Sequence, residues 1–415
     1  MRESDTTNRK RKKQRLAAHT RACVLWGLTF FATAHVGMLI ATQTFWPHLR
    51  DPEYGYKLSS IRRQLREEPN RPLLVLLGSS RTGQGVRPGV MPELRTPDGR
   101  VPLVFNFSQV GSGPLAEFVI LHRLLDAGIR PDFLAVEILP ALLGRTVDAF
   151  GDCGISISRM SWRDVLLLND YVHDPEQMRH RWFKDQAWPW YAQRFTVMNH
   201  YVSNCVPWRL RLDHWKQLDR WGWSDIGQDN QPLVMDPTAL HVTRMTYYND
   251  LKTLQIASMQ DHALRDLIAL CRRESIPVMF YLMPEGTIFR DWYAPAISER
   301  INNYLTRLSR ECGVPIVDLR TWMEDKYFGD GHHLYRKGAS LFTSRFGPEA
   351  LECLVQGRLE ALPSLIAPLS VPYPEETPDQ GPRMQVKTRP AHPPSPTLSI
   401  NRGRELGARS GHAEK

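Results

Sequence analysis

Five short, nearly pure apolar runs, separated by stretches with helical spacing, constrain the fold of this 415-residue chain more than any other feature. An apolar run of this length is typical of a strand that is buried on both faces. Strands that alternate with helices predict an α/β fold built on an open, doubly wound, five-stranded parallel sheet. The predicted strands span residues 71–77, 103–107, 133–139, 277–283 and 315–319.

Helical patterns lie between these runs and after the last one. Apolar residues three and four positions apart predict helices over 115–127, over one long stretch of about 247–273, and from 297 to Gly313. A closing helix is predicted from 338 to 346. Ligands of doubly wound sheets bind at the carboxyl ends of the strands, so we expect the chemistry of this chain there.

The first 49 residues predict a membrane anchor. Residues 1–21 carry a net charge of +6, and no Asp, Glu, Lys or Arg follows until Arg50. The stretch 22–42 is apolar and long enough for one transmembrane helix, and the preceding positive charge keeps residues 1–21 in the cytoplasm. A cleaved signal peptide is the alternative, because Ala32-Thr33-Ala34 fits a cleavage site. Both interpretations put the remainder of the chain outside the cytoplasm.

The charge distribution argues against nucleic acid as a partner. The chain carries +9 in total, but residues 22–370 contribute only +1 once the two termini are set aside. A body that grips a phosphate backbone needs a basic surface of its own. The C-terminal stretch 371–415 holds eight of the 31 prolines and has almost no apolar periodicity, which predicts a disordered tail.

Residues 141–246 do not fit the alternating pattern. They are too many for a loop and hold eight of the twelve tryptophans, so we predict a mainly helical insertion that caps the strand ends. The tryptophans either build a small core of the insertion or line a sugar-binding groove. Cys153 and Cys205 either form a disulfide in an oxidising compartment or remain free thiols.

Two motifs at strand ends carry candidate catalytic residues. The first strand leads into Gly78-Ser79-Ser80, where glycine permits a sharp turn that exposes a hydroxyl. A phosphate-binding loop is excluded because no Lys follows the glycines. The fifth strand is followed by a short turn that contains Asp330 and His333, three positions apart.

Together these residues can form a nucleophilic triad. Asp330 would orient the imidazole of His333, whose other nitrogen would accept a proton from Ser80. His332 is the alternative base. A metal site at Asp330, His332 and His333 is disfavoured, since no H-x-x-x-H or C-x-x-C completes a ligand set. We therefore predict no metal.

The Gly-Ser-Ser turn, the glycine-containing turn after the second strand and the late Asp-x-x-His resemble the SGNH (GDSL-type) hydrolase superfamily. The resemblance covers residues 70–140 and 247–355 and implies a flavodoxin-like sheet. It implies Ser80 as nucleophile with Asp330 and His333, and no cofactor. Within this superfamily, the chain resembles membrane-anchored periplasmic acyltransferases and esterases. By this resemblance the chain would lie in a bacterial inner membrane, face the periplasm or cell exterior, and act on an acylated envelope glycan or another acyl donor.

The oxyanion hole departs from the pattern of the superfamily, which uses the serine N–H, a glycine N–H after the second strand and an asparagine after the third. Ser108 occupies the position of the glycine, with Gly111 and Gly113 nearby, so the predicted donors are Ser80, Ser108 and Gly111. No asparagine follows the third strand. Arg81 either substitutes for it or forms a structural pair with Glu137.

Two functions follow from these patterns. The first is a membrane-tethered serine esterase or O-acyltransferase that acts on cell-envelope polysaccharide. The second is an inactive envelope protein of the same fold that binds glycan or a partner protein, which the missing asparagine favours.

Overall fold

All five strands pair in parallel to form one sheet in the order β2-β1-β3-β4-β5, which confirms an α/β fold on a five-stranded parallel sheet. The structure is a computed structural model that describes residues 2–146, 155–188, 191, 194–206, 218–224 and 234–359. The strands are β1 Leu73–Leu77, β2 Leu103–Asn106, β3 Phe133–Glu137, β4 Val278–Leu282 and β5 Ile316–Asp318. Each lies within its predicted run.

The apolar runs are buried because the sheet is covered on both faces. Along β1, Val75 and Leu77 point into one core, and Leu74 and Leu76 point into the other. All four side chains are fully buried. Full burial of one such side chain stabilises the fold by about 1.5–3 kcal/mol, which explains why the run holds almost no polar residue.

Helices cover both faces of the sheet. The α-helices are α1 Arg2–Ile40, α2 Pro47–Arg50, α3 Pro52–Glu67, α4 Ser80–Gly85, α5 Pro114–Asp126, α6 Trp162–Leu167, α7 Pro175–Gln186, α8 Arg194–Tyr201, α9 Pro237–Thr253, α10 Ser258–Arg273, α11 Thr287–Arg290, α12 Pro295–Cys312, α13 Arg336–Phe346 and α14 Glu352–Val355. α3, α5, α10 and α12 contribute to one core, and α13 and α14 contribute to the other.

α3 was not predicted from the sequence, although its start has a recognisable signal. The Asp51 side chain accepts a hydrogen bond from the Tyr54 N–H, and Pro52 occupies the first helical position. Leu58 and Ile61 then bury one side of the helix against the sheet. α3 joins the N-terminal helix to the sheet.

The single helix predicted over 247–273 is wrong, because the chain forms two helices with an extended break between them. α9 ends at Thr253 and α10 begins at Ser258. In the break, the Ala257 N–H donates to the Leu143 carbonyl at 2.9 Å. A tertiary hydrogen bond has therefore replaced one that a continuous helix would have made, and no local residue signals it.

The described part of the predicted insertion contains α6, α7, α8 and the start of α9. Trp162 and Trp182 pack together, and Trp223 donates to the Gln84 carbonyl. These tryptophans support the interpretation that they contribute to packing. Trp190, Trp208, Trp215, Cys153 and the tail over 371–415 lie outside the described residues, and Cys205 is an exposed free thiol.

The N-terminal helix α1 continues into a π-turn at Ala41–Phe45, and residues 15–45 are long and apolar enough to cross a membrane. The main body begins where this stretch ends. Arg50 donates to the Thr42 carbonyl at 3.2 Å, and Thr42 itself is buried. The C-terminal end of the apolar helix is thereby attached to the remainder of the protein.

The strand order determines where a site can form. β1 lies between β2 and β3, so the chain leaves β1 toward one side and returns to form β3 on the other. Such a switch point opens a crevice at the carboxyl ends of the strands. Ser80 follows β1 directly, and Glu137 is the last residue of β3.

Candidate active site

The turn after β1 places Ser80 at the start of a short helix. Ser79 caps α4, and its hydroxyl accepts a hydrogen bond from the Arg81 N–H at 3.1 Å. Position 78 requires a glycine because neighbouring side chains lie against its Cα. A Cβ there would lie 2.5 Å from Thr82 Oγ1 and 2.7 Å from Glu137 Oε2. Ser80 is therefore the first helical residue, half-buried at the edge of the sheet.

A buried carboxylate holds this turn in place. Glu137 Oε2 accepts from the Ser79 N–H at 2.8 Å, from the Ser79 hydroxyl at 2.9 Å and from the Thr82 hydroxyl at 2.8 Å. Hydrogen bonds to a carboxylate are stronger than neutral ones, and this carboxylate is fully buried. Glu137 thus fixes the residues on both sides of Ser80.

Arg81 is a structural residue. Its Nη1 donates to Glu285 Oε1 at 3.1 Å, and its Nη2 donates to the Met283 and Pro284 carbonyls at 2.7 and 2.9 Å. Its Nε lies 3.6 Å from Glu137 Oε1, and the side chain is only 1% exposed. Burial opposes its charge, but Glu285 and Glu137 outweigh burial and raise the pKa of Arg81. The pairing of Arg81 with Glu137 is confirmed. Because the guanidinium is buried and hydrogen-bonded to Glu285 and two carbonyls, it is not available to bind a substrate.

The three residues predicted to form a triad lie in series. Ser80 Oγ lies 2.8 Å from His333 Nε2, and His333 Nδ1 lies 2.7 Å from Asp330 Oδ2. Both distances are those of hydrogen bonds. The side chains of His333 and Asp330 are 23% and 13% exposed, so the series opens toward solvent at its imidazole.

A tight turn holds Asp330 and His333 together. Asp330 Oδ1 accepts the N–H groups of His332 at 3.1 Å and His333 at 2.8 Å, and Gly331 between them has a left-handed φ of +93°. Thr243, on α9, donates its hydroxyl to Asp330 Oδ2 at 3.1 Å. The carboxylate therefore has fixed partners on both oxygens.

Electrostatics keep Asp330 ionised. Burial alone would raise its pKa, but charge and hydrogen bonding from His333, with a further contribution from His332, outweigh burial and lower it. A carboxylate at this place accepts the proton of His333 Nδ1. In the neutral imidazole this places the ring proton on Nδ1, and we assign Nε2 of that form as the nitrogen that accepts from the Ser80 hydroxyl.

His332 does not contact Ser80. Its ring is buried, stacked on Phe289 with a centroid distance of 5.0 Å, and has Tyr247 edge-on at 5.1 Å. Burial and the neighbouring charge of His333 hold its pKa well below the usual value for histidine. The geometry thus favours His333 over His332 as the base.

One further arrangement of these residues is chemically possible. Asp330, His332 and His333 offer ligand atoms that all lie within 4.8 Å of one another, close enough to hold a metal ion. Asp330 Oδ2 lies 2.7 Å from His333 Nδ1. A metal ion bound to the Asp330 carboxylate would compete with this hydrogen bond. Asp330 and His333 can therefore serve either a metal or the triad, and the prediction that no metal binds remains a prediction.

The predicted oxyanion donors differ in their availability. Ser108 stays a predicted donor, although its N–H also donates to Asn106 Oδ1 at 3.2 Å and its backbone carbonyl accepts from Lys57 Nζ at 2.5 Å. Gly111 lies in a half-buried turn with a left-handed φ of +73°. Ser80 and Gly111 likewise stay predicted donors.

Sequence analysis missed Gln109, which lies beside the turn that leads to Ser80. Its N–H donates to the Gly78 carbonyl at 2.8 Å, and its side chain is 1% exposed. Within the part of the chain described here, neither its Nε2 nor its Oε1 has a hydrogen-bond partner. Buried polar atoms are rarely left unpaired, so an unpaired amide next to a candidate site suggests a partner that arrives with the substrate. An amide directly after the second strand was the available signal.

Lys57 also escaped prediction. It lies on α3 and is buried, and burial lowers its pKa to about 8 against the opposing influence of Glu53 and Asp219. The Val110 N–H donates to Glu53 Oε1 at 3.0 Å, so two residues of α3 hold the loop after β2.

No family model matches this chain, and no curated protein matches it.

Proposed function

We propose that this protein is a membrane-anchored serine esterase or O-acyltransferase of SGNH type that acts on acyl esters of cell-envelope polysaccharide. One observation carries the proposal: Ser80, His333 and Asp330 form a hydrogen-bonded series of 2.8 and 2.7 Å at the carboxyl ends of the strands. Nucleophile, base and orienting carboxylate in this order are the requirement for acyl transfer through a serine ester.

The reaction proceeds in two halves. Ser80 Oγ attacks the acyl carbonyl carbon while its proton passes to His333 Nε2, and Asp330 stabilises the imidazolium. The tetrahedral intermediate then breaks its bond to the leaving oxygen, which takes the proton from His333. In the second half, water or a sugar hydroxyl gives its proton to His333 and attacks the Ser80 ester carbon. The second tetrahedral intermediate then breaks its bond to Ser80 Oγ, which takes the proton back from His333, and a carboxylic acid or a new ester leaves.

The intermediate needs donors for its negative oxygen. The Ser80 N–H lies at the start of α4, and we assign the Gln109 amide as a second donor because it is buried next to Gly78 and has no hydrogen-bond partner among the described residues. An amide in this role would replace the asparagine that the chain lacks after β3. Removal of one such donor typically lowers kcat by about 10²–10³.

The membrane topology forms part of the proposal. Residues 1–21 are basic and residues 15–45 can cross a bilayer, so we place the N-terminus in the bacterial cytoplasm and the body on the periplasmic or outer side. A glycan of the cell envelope is the substrate that such a location offers.

A fluorophosphonate probe, applied to the full chain in lipid nanodiscs, tests the nucleophile. We expect covalent labelling of the wild type, loss of labelling in Ser80→Ala, and unchanged labelling in the matched control Ser344→Ala, whose hydroxyl is exposed on α13. Absence of labelling in the folded wild type would instead support the inactive glycan-binding or partner-binding protein, which the departure at Ser108 and the missing asparagine favour.

With p-nitrophenyl acetate as donor, acetate release and acetylation of an added oligosaccharide distinguish hydrolysis from transfer.

A further inference from the structure

We infer that five exposed side chains among the described residues of the insertion, between positions 183 and 202, form a membrane-contacting surface at the outer face of the same bilayer that α1 spans. This inference rests on the anchor of the proposed function and adds a second contact with the membrane. The residues that form the surface, called the interfacial segment below, are Phe183, Trp188, Tyr191, Tyr201 and Val202.

The interfacial segment exposes an unusual amount of apolar and aromatic surface. Trp188, Tyr191 and Tyr201 are 62%, 67% and 71% exposed, and Phe183 and Val202 are also exposed. Five large side chains within twenty residues exceed the scattered apolar residues of an ordinary surface. Tryptophan and tyrosine are the residues that concentrate at membrane interfaces, where an apolar ring can carry a hydrated polar group.

The segment lies against the outer end of the apolar helix. The Trp188 ring has its centroid 6.2 Å from that of His35 on α1, and Gln43 Nε2 donates to Gln186 Oε1 at 3.1 Å. α2, which follows the π-turn, packs on α8. The interfacial segment therefore has a fixed position relative to the anchor.

The depth of this contact follows from helix geometry. About 20 residues at 1.5 Å each cross the roughly 30 Å hydrocarbon layer, so a span that begins at Ala22 reaches the outer boundary near Ala41. His35 lies six residues earlier, about 9 Å inside that boundary along the helix axis. A ring that packs against His35 therefore lies up to about 9 Å below the headgroups, which is the depth to which an interfacial segment buries its apolar side.

Basic residues around the segment suit lipid headgroups. Lys184 is exposed on α7, and the Arg194 guanidinium lies 3.7 Å from the ring centroid of Tyr191 and 4.4 Å from that of Phe195. Cations next to aromatic rings, beside a helix that crosses the membrane, match the composition of interfacial segments. A lipid surface therefore explains these residues together.

The surface has a consequence for the candidate active site. α3 follows the end of the anchor, and its Lys57 and Glu53 hold the loop that contains Ser108 and Gln109. The loop beside Ser80 is thus fixed with respect to the same bilayer. Two contacts with the membrane, rather than one flexible tether, would hold the site at a constant height above the lipid.

Quenching by brominated lipid tests the inference in the full chain. The wild type and three variants, Trp188→Phe, Trp26→Phe and Trp223→Phe, are compared in nanodiscs of phosphatidylcholine with or without bromine near the headgroup end of the acyl chains. The fluorescence lost on each substitution reports that tryptophan. We expect the Trp188 contribution to lose most of its intensity in brominated lipid and the contribution of the buried Trp223 to keep it.

Trp26, which is 74% exposed on α1, separates the two possible failures. If the Trp26 contribution is quenched and that of Trp188 is not, the anchor spans the bilayer but the interfacial segment stands away from it, and the inference is overturned. If neither is quenched, the anchor and the inference fall together. Fluorophosphonate labelling of Trp188→Phe, expected to equal that of the wild type, shows that the variant is folded.

Discussion

The Ser80 hydroxyl lies 2.8 Å from His333 Nε2, although 253 positions separate the two residues along the chain. Ser80 follows β1 near the centre of the sheet, while His333 follows β5 at its edge. The contact exists because both loops leave carboxyl ends of parallel strands and therefore meet on one side of the sheet.

Replacement of His333 separates it from its neighbour. We expect His333→Ala to lower kcat for p-nitrophenyl acetate by on the order of 10⁴-fold or more, because Ser80 loses its base. His332→Phe keeps a flat ring between Phe289 and Tyr247. We expect its kcat to stay within about tenfold of the wild type, because the polar contact that it removes, from His332 Nε2 to Asp330 Oδ2, is long at 3.5 Å. A larger loss in His332→Phe than in His333→Ala would reverse the assignment of the base.

Asp330→Asn tests the orientation of the imidazole. An amide at this position can donate to His333 Nδ1, which would put the proton on the wrong ring nitrogen and lower kcat by about 10⁴-fold with little change in KM. The matched control is Thr243→Val, which removes only the hydroxyl that donates to Asp330 Oδ2 at 3.1 Å. Steady-state kinetics of both variants should show a large loss in the first and a small one in the second. Equal losses would mean that the hydroxyl, and not the carboxylate charge, controls His333.

Asp330 also predicts a pH dependence of stability. Its pKa is lower in the folded protein than in the unfolded chain, so the unfolded state binds more protons as the solution is acidified. The stabilisation from Asp330 is present above its unfolded pKa of about 4 and is lost as the pH falls below that value. Urea unfolding between neutral and acidic pH should therefore show a smaller loss of stability in Asp330→Asn than in the wild type. Parallel curves for the two proteins would contradict this assignment.

Gln109→Ala tests the proposed second oxyanion donor. Loss of the amide should lower kcat by about 10²-fold or more without a comparable change in KM, because the contact is made to the transition state. Ser112→Ala is the control, since its hydroxyl is also buried and, among the described residues, also lacks a hydrogen-bond partner. A similar small effect in both variants would show that Gln109 has no part in the chemistry.

The network around Arg81 predicts a large effect on stability. Arg81→Met leaves the buried carboxylates of Glu137 and Glu285 without their cation, which typically costs about 3–5 kcal/mol. Arg95→Met breaks an exposed pair with Glu93 and should cost at most about 1 kcal/mol. Urea denaturation of the two variants gives the comparison. Equal free energies of unfolding would show that the buried network contributes nothing beyond a surface pair.

Much of the fold could be predicted because its signals are local. The apolar run of β1 and the turn that brings Asp330 within 2.7 Å of His333 Nδ1 depend on residues close together in the chain. Pattern and turn chemistry therefore sufficed for the strands and for one half of the candidate triad. The helix break before Ser258 was missed because it depends on a hydrogen bond to the distant Leu143.

The sequence by itself determined the five strands, the apolar N-terminal stretch and the pairing of Asp330 with His333. Only the tertiary structure decided that Ser80 meets this pair, that the Ser108 N–H donates to Asn106, and that the buried Gln109 amide has no partner in the described part of the chain. The physical reason is the range of the interactions. Backbone periodicity acts over a few residues, whereas the strand order and the packing of loops bring together groups that no local pattern relates.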